Sequence, residues 1–129
     1  MKIHHIGYAV KCIEKAEKVF QSMGYNAGNE ITEDEKRNVR IKFISLGEDV
    51  VELVEPSNEN SPIFNLLKKN GPATYHICYE VENIDDKIKE LKKNGFMVIS
   101  DISAAPAIDE KSVAFLFNKD IGLIELLEK

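Results

Sequence analysis

Four residues that could bind a metal recur at matching positions in the two halves of the sequence. Segments 3–10 and 74–81 contain HIGYAV and HICYEV, which align without a gap at a shift of 71 positions and place one His on another. Each half then ends in a similar segment, VELVE or IELLE, which places one Glu on another at a shift of 73. Such self-similarity indicates one structural unit encoded twice. Each half therefore offers one imidazole and one carboxylate, and the four residues are His5, Glu52, His76 and Glu125.

Two imidazoles and two carboxylates form a mixed nitrogen and oxygen ligand set that suits a divalent ion such as Ni²⁺, Co²⁺, Zn²⁺, Mn²⁺ or Fe²⁺. Calcium would require more oxygen ligands. Four protein ligands leave positions of an octahedron for water or substrate, so we expect a catalytic site rather than a closed structural one. Taken singly, each residue could be a hydrogen-bonded sheet residue or a salt-bridge partner. The repeat favours the metal, because coincidence would have to place the same pair on equivalent strands twice.

The segments that carry these ligands alternate in the manner of β-strands, which fixes the neighbours of each ligand on its face. In segment 2–10, His5 shares a face with Gly7 and Ala9, whose small side chains leave room for a substrate. His4 falls on the opposite face and is predicted to be structural. The residues predicted to contact substrate all share a face with one of the ligands: Gly7, Ala9, Val54, Cys78 and Leu123.

Each half predicts the order strand, helix and three strands. Helices are predicted at 13–23, at 63–69 and between Asn83 and Gly95, from apolar residues at helical spacing and from capping residues. Segment 25–31 predicts a weak strand, 32–38 an exposed turn, and 103–111 a mobile flap near the site. The sequence therefore predicts an α+β protein of two βαβββ modules, at about 1–56 and 73–129, with a linker helix within 57–72.

Composition narrows the function to small-molecule chemistry. The chain has 129 residues, of which 43% are hydrophobic, enough for one domain with its own core. A net charge of -5 argues against nucleic-acid binding, which needs a basic surface. No apolar run is long enough to cross a membrane and no signal peptide is evident, so we expect a cytoplasmic protein. The two cysteines, Cys12 and Cys78, have no paired spacing and predict neither a disulfide nor a zinc-thiolate site.

The pair HIGYAV and HICYEV, with VELVE and IELLE, resembles the vicinal oxygen chelate superfamily over essentially the whole chain. This resemblance implies a single domain over 1–129 whose modules form a cupped, barrel-like mixed sheet with helices on its outer face. It also implies that His5, Glu52, His76 and Glu125 are the metal ligands. Within the superfamily, the segments ELVEP, SPIFNLLKKNG and YHICYEVENI are similar to methylmalonyl-CoA epimerases and to small bacterial glyoxalase I enzymes, the lactoylglutathione lyases.

Both of these families transfer a proton next to a carbonyl group through a metal-bound enediolate. Epimerases of this type carry a further carboxylate base on the third strand, where the alignment places Ile41, and an HGKP-like sequence is missing before FLFNKD. Glyoxalase I uses its metal-ligating carboxylates as bases, and Glu52 and Glu125 are both present. The resemblance therefore favours a glyoxalase I-like lyase and isomerase that converts a 2-oxoaldehyde–thiol hemithioacetal to a 2-hydroxyacyl thioester, in methylglyoxal detoxification, with Glu125 and Glu52 as catalytic residues.

Two alternatives stay open. Ala9 and Pro56 stand where nickel-type glyoxalases usually carry an arginine and an asparagine that hold glutathione, so methylmalonyl-CoA epimerase is the first alternative. A non-enzymatic, antibiotic-binding protein of the same fold is the second. The short chain resembles the nickel- and cobalt-activated class, so we expect one divalent metal per site, Ni²⁺ or Co²⁺ in preference to Zn²⁺. The expected partners are a thiol-linked small molecule and a second copy in a homodimer, and the modules would pair either within one chain or across that dimer.

Overall fold

A strand–helix–three-strand unit occurs twice in the computed structural model, which describes residues 1–28 and 30–129. The first copy comprises β1 (Lys2–Ala9), α1 (Ile13–Ser22), β2 (Thr32–Asp34), β3 (Val39–Leu46) and β4 (Asp49–Pro56). A linking helix, α2 (Phe64–Asn70), precedes the second copy. The second copy comprises β5 (Ala73–Val81), α3 (Ile84–Lys92), β6 (Met97–Ala105), β7 (Lys111–Asn118) and β8 (Gly122–Glu128), with a short 3₁₀-helix at Pro106–Ile108. The predicted α+β class and the doubled βαβββ order are confirmed.

The chain divides into two compact units. The N-terminal unit is His5–Tyr75, in which the strands lie in the order β2-β3-β4-β1. The C-terminal unit is His76–Lys129 together with Met1–His4, and its strands lie in the order β5-β8-β7-β6. In each unit the first strand runs parallel to the last, whereas the other pairs are antiparallel. Each unit therefore contains a mixed sheet, as predicted.

One sheet face in each unit packs against a helix. In the N-terminal unit, α1 and the sheet share an apolar cluster that includes Ile13, Val51 and Leu53. In the C-terminal unit, the cluster combines residues of α3 with residues of β5, β7 and β8: Val81, Ile84, Ile88, Ala114, Leu116, Ile124 and Leu126. Burial of these side chains is the main favourable contribution to folding. None of the helices in the described part of the chain has the length and apolar composition needed to cross a bilayer.

In each unit, a glutamate near the end of the last strand accepts a hydrogen bond from the first residue of the helix. The backbone N–H of Ile13 donates to Glu55 Oε1 at 2.8 Å, and the N–H of Ile84 donates to Glu128 Oε2 at 2.9 Å. The first N–H groups of a helix have no partner within the helix, and a carboxylate there is also favoured by the helix dipole. The last Glu of VELVE and of IELLE therefore has a structural role, distinct from that of Glu52 and Glu125.

Three sequence-based expectations about loops need correction. Part of the predicted turn at 32–38 is strand β2, in which the carboxylate of Asp34 is buried and accepts a bond from Arg37 Nη1 at 2.7 Å. The predicted flap at 103–111 is not an irregular loop: the segment ends β6, forms the 3₁₀-helix and begins β7, with Ala105 and Ile108 buried, and its mobility stays a prediction. The predicted strand at 25–31 includes residue 29, outside the described residues; the remainder shows a single bridge, between Asn26 and Ser45.

Gly28 lies directly against the backbone of β3. A Cβ atom at this position would overlap the carbonyl oxygen of Phe43 and come within 2.7 Å of its carbonyl carbon. The obstacle is backbone inside a sheet, which cannot move aside as a flexible side chain would. The absence of a side chain at Gly28 is therefore a packing requirement of this unit.

Gly28→Ala should lower the free energy of unfolding by about 2 kcal/mol or more, since overpacking forces backbone shifts. Gly47→Ala is the matched control: Gly47 has a φ of +61° and no atom near the added methyl group, so it reports the cost of a left-handed backbone alone. That cost is about 1 kcal/mol. Urea denaturation measures both, and a Gly28→Ala protein as stable as the Gly47→Ala protein would contradict the close approach.

Glu17 connects α1 to the loop that carries Gly28 and to β3. Its carboxylate accepts a bond from the Gly28 N–H at 3.2 Å and pairs with Lys42 Nζ at 2.9 Å. Burial alone would raise the pKa of Glu17, but the hydrogen bonds from Lys42 and Gly28 and the charge of Lys42 outweigh it and lower the pKa below its ordinary value of 4.5. The charged carboxylate is therefore the form that stabilises the fold.

A group whose pKa is lowered by folding stabilises the protein above its unfolded pKa and loses that contribution as the pH falls through the folded value. Glu17→Gln should thus cost about 1 kcal/mol near neutral pH and progressively less below pH 4.5. Glu14→Gln, on the exposed side of the same helix, should cost less at every pH. Thermal unfolding between pH 3 and pH 7 provides the measurement, and a pH-independent cost at Glu17 would exclude an ionic role.

Candidate metal-binding site

The first His–Glu pair lies in the N-terminal unit on two neighbouring parallel strands. The β1–β4 register places Glu52 beside Gly7, two positions along the strand from His5. His5 Nε2 lies 3.6 Å from Glu52 Oε1, and both residues are at most 5% exposed. The structure thus brings together the two candidate ligands of the first repeat.

The second pair has the same arrangement in the C-terminal unit. The β5–β8 register places Glu125 beside Cys78, again two positions from the histidine of the first strand. His76 Nε2 lies 3.2 Å from Glu125 Oε1, and both residues are 4% exposed. The sequence repeat between the ligands is therefore also a repeat of geometry.

The chemistry and spacing of each pair fit a divalent metal. Adjacent ligand atoms at about 2.1 Å from one ion are separated by roughly 3.0 to 3.4 Å, according to whether the ion is octahedral or tetrahedral. The two Nε2–Oε1 distances, 3.6 and 3.2 Å, lie close to this range. A carboxylate buried among apolar side chains also needs a positively charged partner, which a metal ion supplies. Both pairs therefore offer suitable ligand groups for such an ion.

The residues predicted to contact substrate lie on the same strand faces as the ligands. Ala9 pairs with Val54 in the β1–β4 register, two positions beyond Gly7 and Glu52, and all of these residues are buried. In the C-terminal unit, Cys78 is fully buried, whereas Leu123 is half-buried and lies two positions before Glu125. The predicted faces are as the alternation indicated, and direct contact of these residues with substrate stays a prediction.

Two phenylalanines, one beside each ligand pair, are part of the candidate site and were not predicted as such from the sequence. The ring of Phe43 on β3 makes an edge-to-face contact with His5, with centroids 5.3 Å apart. The ring of Phe115 on β7 makes the same contact with His76 at 5.2 Å. The signal was present, since Phe43 falls on Phe115 at a shift of 72 positions. Each phenylalanine also lies directly opposite the glutamate of its pair in the antiparallel register.

The third strand of the first repeat unit presents apolar residues on the site face. Val39 and Ile41 are buried, and Ile41 lies opposite Val54 in the β3–β4 register. Position 41 of this strand therefore provides no carboxylate near His5 and Glu52. The carboxylates of the ligand pairs are the candidate bases that the geometry offers.

The fold and the paired ligands agree with the family comparison. Residues 4–115 match the model of the Glyoxalase/Bleomycin resistance protein/Dioxygenase superfamily, and the chain belongs to this superfamily, which is the vicinal oxygen chelate family named by its sequence resemblance. Divalent-metal binding is general in this family, in agreement with the two His–Glu pairs.

Comparison with individual relatives indicates a narrower class within this superfamily. The chain is 35% identical over 129 residues to the ethylmalonyl-CoA/methylmalonyl-CoA epimerase of Cereibacter sphaeroides, an alignment that covers 97% of this chain and 96% of that relative. It is 33% identical over 128 residues to mitochondrial methylmalonyl-CoA epimerase of Mus musculus, with 97% and 71% covered. A methylmalonyl-CoA epimerase structure from Mycobacterium tuberculosis has a TM-score of 0.86 and 22% identity over 98% of this chain and 87% of that one, a likeness that shows the fold alone.

These relatives correct the expected activity. They are epimerases, so the expected glyoxalase I function, with its lactoylglutathione-lyase type and methylglyoxal detoxification, is wrong. The expectation that the chain is an enzyme is confirmed in its general form, with relatives of the isomerase type. Both activities need the same ligands and a base, and Ile41 in place of a third-strand carboxylate favours glyoxalase I without excluding the epimerase alternative, which the relatives support. The preference for Ni²⁺ or Co²⁺ rested on the glyoxalase class and loses that basis.

Proposed function

We propose that this protein is an epimerase of 2-alkylmalonyl-CoA thioesters, with methylmalonyl-CoA as the foremost substrate. The observation that carries the proposal is the match to the Cereibacter sphaeroides epimerase over nearly the full length of both chains, combined with a buried His–Glu pair in each unit. The reaction inverts the carbon between the thioester and the carboxylate by removing and returning one proton. A CoA thioester also agrees with the thiol-linked substrate expected from the sequence.

The four ligands would hold one divalent metal ion in this proposal. These ligands are His5, Glu52, His76 and Glu125, the residues that recur in the two sequence repeats. When bound, the metal supplies Lewis-acid polarisation of a carbonyl oxygen and so raises the acidity of the adjacent C–H. The mixed imidazole and carboxylate set suits several first-row ions and does not distinguish among them.

Glu52 and Glu125 would move the proton. Epimerisation breaks a C–H bond, leaves its electron pair delocalised over the neighbouring carbonyl groups, and reforms the bond on the other face of the carbon. A protein with two carboxylates, one from each repeat, has a base for the first step and an acid for the second. Since Ile41 occupies the site face of β3, we assign both roles to these two glutamates.

Apolar neighbours would limit the access of bulk water to both carboxylates during the proton transfers. Glu125 shares its strand face with Leu123 and the fully buried Leu127, and Glu52 shares its face with the buried Val54. In such surroundings each carboxylate interacts with the substrate with little competition from water, and the glutamates exchange their protons with solvent between turnovers. Gly7, Ala9 and Cys78 would leave space for the acyl group. The homodimer and the cytoplasmic location expected from the sequence stay predictions.

His5→Asn and His76→Asn should each weaken the binding of a divalent metal by at least about 10-fold, because each removes an imidazole nitrogen that would coordinate the ion directly. The third histidine provides the comparison: His4 precedes His5 on the same strand and lies near it and Cys78, but it is outside the predicted ligand set, so His4→Asn should weaken metal binding less than either ligand variant. Isothermal titration of the metal-free proteins with Co²⁺ or Zn²⁺ gives the affinities. Equal affinities in all three variants would contradict the ligand assignment.

Metal-loaded parent protein should epimerise methylmalonyl-CoA and, in D₂O, incorporate deuterium at the inverted carbon. Glu125→Gln should keep much of its metal, because an amide oxygen still coordinates, but should lose about 10² to 10⁴ in rate, the usual contribution of a general base. The control is Glu128→Gln, on the same strand, which removes the helix-capping carboxylate and should affect stability rather than rate.

NMR follows both inversion and deuterium uptake. A metal-loaded parent that is inactive on methylmalonyl-CoA and on ethylmalonyl-CoA would contradict the epimerase proposal. If Glu125→Gln takes up deuterium at the parental rate, the epimerase proposal stands but Glu125 is not the base. The same substitution at Glu52 should also slow exchange, since the proposal divides the proton transfer between the two carboxylates.

A further inference from the structure

We infer that Phe43 and Phe115 are positioning residues that fix the imidazole rings of His5 and His76 for metal binding. The inference rests on the proposed metal site and extends it to two residues outside the ligand set. Each phenylalanine ring meets its histidine edge to face, at 5.3 Å for the first pair and 5.2 Å for the second, with interplanar angles of 75° and 87°.

An edge-to-face contact depends on the orientation of both rings. Rotation of the imidazole about its Cβ–Cγ bond would move the ring edge away from its partner and forfeit the contact, which contributes about 0.5 to 1.5 kcal/mol beyond area burial. The contact therefore favours one ring orientation. In that orientation Nε2 of each histidine already lies 3.6 or 3.2 Å from the carboxylate oxygen of its glutamate. A ligand ordered before the metal arrives costs less conformational entropy on binding.

The backbone of Phe43 is itself fixed from two sides. Phe43 lies directly opposite Glu52 in the β3–β4 register, and its ring contacts the other ligand, His5. On the other side, the close approach of Gly28 holds the carbonyl group of Phe43. The ring therefore projects from a backbone with little freedom to shift.

Phe115 has an equivalent pair of restraints built from different residues. It lies opposite Glu125 in the β7–β8 register and opposite Ser100 in β6. The β6–β7 register is irregular on both sides of Ser100, and here the hydroxyl Oγ of Ser100 accepts a hydrogen bond from the Phe115 N–H at 3.1 Å. The phenylalanine position is therefore held even where the strand pairing is interrupted.

Core packing alone does not account for these two residues. Both phenylalanines are only half-buried, whereas the residues of the helix-covered clusters are largely buried. The same triad of His, Phe and Glu also occurs in both units, on equivalent strands. A role tied to the ligands explains why the aromatic ring recurs beside them.

The test compares Phe43→Leu and Phe115→Leu with the parent protein, using Co²⁺ alone as the probe. Leucine keeps most of the apolar bulk but removes the ring edge. Each variant should bind Co²⁺ roughly 2- to 10-fold more weakly, the equivalent of one lost edge-to-face contact, and should change the visible absorption of the bound ion. Phe43→Tyr keeps the ring and should restore affinity and spectrum.

Phe20→Leu is the matched control, because Phe20 makes the same type of contact with Tyr8 and Tyr25 on the helix-covered face. It should lose stability and bind Co²⁺ as the parent does. In the metal-free proteins, NMR of the three histidines gives a second readout: the ring signals of His5 should shift and broaden in Phe43→Leu, and those of His76 in Phe115→Leu.

The outcomes separate the two proposals. A parent that binds no Co²⁺ would contradict the metal site and, with it, the positioning role. A parent that binds Co²⁺, together with leucine variants of unchanged affinity, spectrum and histidine signals, would contradict the positioning role and leave the proposed function standing. Weakened binding in the leucine variants that also appears in Phe20→Leu would show a general loss of stability and would overturn the inference.

Discussion

Two carboxylates buried beside two imidazoles are the constraint on which the rest of the structure depends. An ionised carboxylate is expensive to remove from water, and it is tolerated only with a partner of opposite charge or with good hydrogen bonds. The fold meets this requirement in each unit by making the first strand parallel to the last, which places a histidine of one beside a glutamate of the other. Glycine, alanine and cysteine in the adjoining positions place only small side chains beside the pair.

In each unit the last strand, β4 or β8, carries functional or structural glutamates on both of its faces. Glu52 and Glu55 are three residues apart on β4 and so point to opposite faces, and Glu125 and Glu128 do the same on β8. One glutamate of each pair lies beside a histidine, while the other accepts a bond from the first N–H of a helix. Helix placement and ligand placement are thereby set by the same strand, so a change of register in β4 or β8 would disturb both together.

The sequence predicted the features that appear as local patterns or that occur in both halves of the chain. Repetition indicated the βαβββ order and the two His–Glu pairs, and alternation indicated the face of each ligand. It did not indicate β2, three residues long and rich in charge, or the continuation of β6, whose register shifts break the two-residue period. The ring contacts of Phe43 and Phe115 join residues far apart in the chain, which local patterns do not report. The expected substrate was wrong for another reason: the ligands are common to both candidate reactions, and neither Ile41 nor the lack of an HGKP-like sequence distinguishes them.

The parallel pairing of the first and last strands of each unit also affects the order in which contacts form during folding. The antiparallel neighbours β3–β4 and β7–β8 are joined by short turns and can form early as hairpins, whereas His5 is 47 residues from Glu52 and His76 is 49 residues from Glu125. Closing loops of that length costs entropy that only the completed sheet and its helix repay. The ligand pairs are therefore expected to come together among the last contacts of each unit. A metal ion would then find its ligands only in a chain that has already folded, unlike the zinc-finger case in which the ion drives folding from the start.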